Sequence, residues 1–169
     1  MKMLFDVPPV RDQLGGVSRW SSPALPPVSY CRVDADGVPA EWVEATPAAE
    51  GQATFVYFQC GGCGGCGGDP FEQSRRPAGD IAESTGARVL EVACVSGAPF
   101  SPLSPVERGV AAYAWLIGEG CDVDSTAFTH EGGAASLADA ILLAARDRGL
   151  PIPALGICPP DLLASTTAG

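Results

Sequence analysis

Residues 53–68 read ATFVYFQCGGCGGCGG. The first six form an unbroken apolar run, the pattern of a strand buried on both faces of a parallel sheet. Glycine then fills every gap between Cys60, Cys63 and Cys66, which follow one another at a spacing of three. Glycine this dense means that the backbone bends sharply or comes close to something. A buried strand running straight into such a loop points to an open α/β sheet, where sites lie beyond the carboxyl ends of the strands.

The flanking sequence repeats the alternation. Upstream, VSYCRVDA (28–35) and PAEWVEA (39–45) alternate around Asp36-Gly37, an antiparallel hairpin signal. Downstream, 70–84 predicts a helix weakened by Pro77 and Gly79, and ARVLEVACV (87–95) a second buried strand. VERGVAAYAWLIGEG (106–120) places Val106, Val110, Tyr113 and Ile117 at helical spacing before Gly120. STAFTH (125–130) predicts a strand, AASLADAILLAARDRG (134–149) an amphipathic helix, and ALGIC (154–158) a last strand before Pro159-Pro160. Strand and helix in alternation imply a mostly parallel sheet with helices on both faces. Residues 1–27, rich in breakers, are expected to be an irregular arm ahead of one domain at 28–169.

Composition excludes several classes. The net charge of −10 opposes binding to nucleic acid or to anionic membrane surfaces. No apolar run approaches the ~18 residues of a membrane span, and MKMLFDVPPV makes a poor signal peptide. Seven cysteines, an odd number, predict free thiols in a reducing cytoplasm.

Several stretches together resemble one family, the hormone-sensitive-lipase-like carboxylesterases of the α/β-hydrolase superfamily. GVPAEWVEATPA (37–48), FVYFQCGGC (55–63), TGARVLEVACV (85–95), GVAAYAWLIGEGCDVDSTAF (109–128) and ARDRGLPIPALGICPPDLL (145–163) carry the likeness, over roughly 28–165. The resemblance implies a sheet of order 1-2-4-3-5-6 and hydrolysis of small acyl esters, with no cofactor. The family's mechanism needs a serine on a tight strand-to-helix turn, with a histidine to take its proton and an acid to orient that histidine.

The motifs depart from that pattern. In register, the turn reads His130-Glu131-Gly132-Gly133-Ala134, so Gly132 stands where the family has its serine. Ser136 lies four residues on, about one turn into the helix. The family's acid and histidine come from strands seven and eight, whereas this chain is read as stopping after strand six. His130 is its sole histidine. Gln59 and Cys60 replace the histidine and first glycine of the family's His-Gly-Gly-Gly. Gly61 and Gly62, with Gly133, remain as oxyanion-hole-like donors. Ala93-Cys94-Val95 replaces the Asp-Tyr-Arg whose charges brace that loop, so the loop is expected to loosen.

The expectation is therefore a truncated, motif-degenerate esterase scaffold without activity, a pseudoenzyme, with His130 and Cys60 as weak catalytic candidates. Three readings of the cysteine run stay open. It is a relic loop in which cysteine replaces small or aromatic residues. It is an iron–sulfur or zinc site at Cys60, Cys63 and Cys66, with Cys31, Cys94, Cys121 or Cys158 as fourth ligand and Cys94 the best placed. Or it is a thiol site with His130 as its base. An unpaired edge at strand six also predicts a homodimer.

Overall fold

The alternation in β3 divides the core. A computed structural model describes residues 27–47, 51–59, 69–94, 102–131 and 134–159. In it, Phe55 and Tyr57 of β3 (Thr54–Phe58) face one layer, and Val56 and Phe58 face the other. The remaining elements are β1 (Val28–Asp34), β2 (Pro39–Ala45), α1 (Arg75–Thr85), β4 (Arg88–Val92), α2 (Pro105–Gly118), β5 (Thr126–His130) and α3 (Ala135–Asp147). The sheet runs β1-β2-β4-β3-β5. β3 is parallel to both β4 and β5, while β1–β2 and β2–β4 are antiparallel.

The hairpin forms as predicted. Ala35 and Val38 exchange both backbone hydrogen bonds, at 2.9 and 3.4 Å. Asp36 and Gly37 between them have φ of 58° and 81°. Two positive φ values make this a type I′ turn, whose twist matches the strands.

Helices cover both faces. α1 packs Ala78, Ile81 and Ala82 against Val43, Phe55, Tyr57 and Val89. α2 and α3 pack on the opposite face, where Phe128 sits edge-on to both Phe58 and Tyr113, with ring centroids 4.9 and 4.8 Å apart. α2 starts at a full capping box: Ser104 Oγ accepts from the Glu107 N–H, and Glu107 returns a carboxylate to the Ser104 N–H. α2 lies against α3 at Gly109, where an added Cβ would lie 2.2 Å from Ile141 Cδ1.

Two expectations are corrected. The predicted helix at 70–84 begins only at Arg75, because 70–74 form a turn. Pro77 then falls in the first helical turn, where its missing N–H has no partner to lose. The predicted strand at 154–158 shortens to one parallel bridge, between Ile157 and Phe128. Its backbone does flank β5, since Gly156 O and the Cys158 N–H both bond to Phe128 at 2.8 Å. Gly156, at φ 66°, and Pro153 and Pro159 keep it from extending. The arm 1–27 lies outside the described residues except for Pro27.

Candidate functional site

The parallel strands β3, β4 and β5 all end on the same rim, so their last residues define the candidate site. Gln59 follows β3, Ala93 and Cys94 follow β4, and His130 and Glu131 close β5. Of the residues singled out from sequence, Cys60, Gly61, Gly62, Cys63, Cys66, Gly132 and Gly133 lie outside the described residues. His130 is described, and it is buried opposite Phe58. Its Nδ1 lies 2.9 Å from the Glu131 carbonyl oxygen. A carbonyl only accepts, so Nδ1 carries the proton and the imidazole is tied to its own main chain. Ser136 is exposed on the first turn of α3.

The candidate fourth thiols separate by position. Cys94 is buried at the rim, beside the end of β3. Cys121 sits at the opposite end of the sheet, 3.5 Å from Thr54 Oγ1 at the start of β3, roughly 15 Å of strand away. Cys31 is exposed on β1, three strands from β3. Cys158 flanks β5. Among the described residues no group of three or more His, Cys, Asp or Glu is arranged to hold a metal ion.

The rim rests on a polar row that sequence reasoning missed. Strand register sets Arg32, Glu41, Glu91, Tyr57 and Thr129 side by side across all five strands, on the face that α1 covers. Glu41 and Glu91 are 1% and 0% exposed, so both carboxyls must be answered inside the protein. Arg75, the first residue of α1, answers Glu41 with two bonds, Nε to Oε2 at 2.9 Å and Nη2 to Oε1 at 2.7 Å. Gln59 Nε2 donates to Glu91 Oε1 at 3.0 Å and to Ser74 Oγ at 2.9 Å. Asp69 pairs with both Arg32 and Arg75.

Gln59 and Asp69 are the residues on either side of 60–68. The residues that border the glycine segment are therefore both tied to the polar row, Gln59 to Glu91 and Asp69 to Arg32 and Arg75. These anchors come from Arg32 on β1, Glu91 on β4 and Ser74 and Arg75 at the head of α1, while the loop expected to loosen with the loss of Asp-Tyr-Arg lies outside the described residues. One signal for the polar row was visible: Glu91 stands alone inside an apolar run, where a charge has no ordinary reason to be.

No protein-family profile matches the chain. An acetyl-hydrolase of Streptomyces hygroscopicus is 34% identical over 120 residues, which is 70% of this chain and 38% of that protein. An esterase from the bacterial hormone-sensitive lipase family is 36% identical, with a TM-score of 0.67, over 80% of this chain and 46% of that one. The esterase EstE5, soaked with p-nitrophenyl butyrate, is 30% identical, with a TM-score of 0.66, over 79% and 44% of the two chains. Sheet order, crossovers and helix placement are thus those of an α/β hydrolase. Within that superfamily the chain belongs to the hormone-sensitive-lipase-like esterases, and it spans less than half the length of these relatives.

Proposed function

We propose that this chain carries the small-acyl-ester scaffold of its family but performs no serine-dependent hydrolysis, and so acts as a pseudoenzyme. One observation carries the reading. β5 ends at His130 and α3 begins at Ala135, and the junction between them holds no serine, threonine or cysteine. A strand-to-helix turn is where this fold raises its nucleophile, and here Gly132 and Gly133 offer only backbone N–H groups. His130 bonds to the Glu131 main chain, and the exposed Ser136 lies beyond the turn.

The test is labelling with a serine-directed fluorophosphonate, alongside turnover of short p-nitrophenyl esters. Neither is expected. Covalent labelling of Ser136, or turnover lost in Ser136→Ala, would overturn the proposal. Residence in a reducing cytoplasm is part of the same reading, supported by Cys31, Cys94, Cys121 and Cys158 all standing outside disulfides. Among the described residues no helix is long and apolar enough to cross a membrane.

A further inference from the structure

The charged groups beneath the rim do not balance. Two guanidinium groups, Arg32 and Arg75, face two carboxylates, Glu41 and Asp69, and each is engaged with both. Glu91 is a third carboxyl with no cation of its own. Among the described residues its Oε1 meets only the amide of Gln59, and its Oε2 is buried without a hydrogen-bond partner. Its neighbours in register are Glu41 on β2 and the buried Tyr57 on β3. The other groups acting on it are Arg75 of α1, Asp69 ahead of α1 and Glu131 after β5, with Tyr30 on β1 within electrostatic reach. Three of these, Glu41, Asp69 and Glu131, are carboxylates, against the single cation Arg75, so an ionised Glu91 would be desolvated and, on balance, repelled.

We infer that the Gln59 bridge from β4 to the head of α1 is a proton-linked latch, closed while Glu91 is a neutral acid and opened with release of its proton. When closed, Gln59 bridges Glu91 on β4 to Ser74 at the head of α1. When open, Glu91 reaches water and ionises, and α1 loses that attachment. Burial, then the charge of Glu41, pushes the Glu91 carboxyl up to about 9 from 4.5. The folded value lies above the ordinary one, so the closed state binds the extra proton. Its advantage is whole below about pH 4.5 and declines as pH rises, until it is spent near pH 9.

Native-state hydrogen exchange on the whole chain tests this. Protection of the α1 amides, corrected for intrinsic exchange, is expected to fall by up to about tenfold per pH unit from pH 6. It should level off near the pH at which the Glu91 carboxyl carbon titrates by NMR, while α3 amides stay protected. In Glu91→Gln, which keeps the acceptor without the proton, α1 protection should not change with pH. The latch is refuted by a carboxyl that titrates between pH 4 and 5, by constant α1 protection in the wild type, or by an equal decline in Glu91→Gln. Should that variant not fold, coincidence of the carbon titration with the levelling of α1 protection in the wild type decides alone, and a mismatch refutes the latch.

Discussion

Arg75 is the residue on which the rim's electrostatics turn. Its guanidinium grips the fully buried Glu41 with two bonds, contacts Asp69, and lies over the Tyr30 ring at 5.5 Å. Removing one partner of a buried pair strands the other charge, which costs about 3–5 kcal/mol. Arg75 is 27% exposed and Glu41 keeps Arg32 at 3.5 Å, so water and that second cation offset part of that loss. Arg75→Ala is expected to lower stability by about 2–3 kcal/mol, read as the midpoint of urea unfolding. Arg75→Lys keeps the charge but not the fork and should recover only part of it. Adding Glu41→Gln to Arg75→Ala removes the stranded charge and should also restore part. An unchanged midpoint in Arg75→Ala would show that Glu41 finds its compensation elsewhere. The pairing itself was not legible from sequence. The resemblance supplied the order β2-β4-β3, but the contact of Glu41 with Arg75 also depends on where α1 starts, which is set by long-range packing.

At the scale of elements, the contact between α2 and α3 is set by one missing side chain. Gly109 sits inside α2, where glycine costs about 1 kcal/mol relative to alanine. The cost is accepted because a Cβ there would meet Ile141 of α3 at 2.2 and 2.6 Å, and Ile141 is fully buried. Gly109→Ala therefore gains helix propensity but overpacks the interface, a penalty of about 1–3 kcal/mol that outweighs the gain or cancels it. Ile141→Ala alone should cost about 2–5 kcal/mol through its cavity. The double variant should then be more stable than the sum of the singles allows, as read by thermal unfolding. Strict additivity would mean that the helices already move apart freely. Elements themselves were the readable level. Five strands and three helices follow from period and punctuation, because buried runs, caps and the Asp36-Gly37 turn are local. What misled lay where local signals conflict: Pro77 suits a helix start but not its interior, and ALGIC is apolar but interrupted by Gly156 at positive φ. The rim motifs Cys60, Cys63, Cys66 and Gly132 were plain as sequence, yet spacing alone does not choose between a relic loop, a metal and a thiol site.

For the molecule as a whole, the side of the sheet beyond β5 poses the remaining physical question. The backbone of Phe128 is already capped by Gly156 and Cys158, and Pro153 and Pro159 flank that segment, so a second copy has little regular edge to extend. Side chains offer more. Leu155 in the capping segment and Ile152 just ahead of it are 50% and 39% exposed. Large aliphatic groups left this open favour association through the strand-six side by packing rather than by strand pairing. The net charge of −10 acts against it, since two like-charged copies repel over a Debye length of roughly 8 Å at physiological salt. The two effects respond oppositely to ionic strength, which makes the homodimer testable. Sedimentation velocity is expected to show a monomer–dimer equilibrium that shifts toward dimer as sodium chloride is raised, because salt screens the repulsion and leaves the apolar contact intact. Leu155→Asp should return the protein to monomer at every salt concentration without lowering its unfolding temperature, since half of that side chain is already in water. A wild-type chain that stays monomeric across the whole salt range would eliminate this surface as an interface.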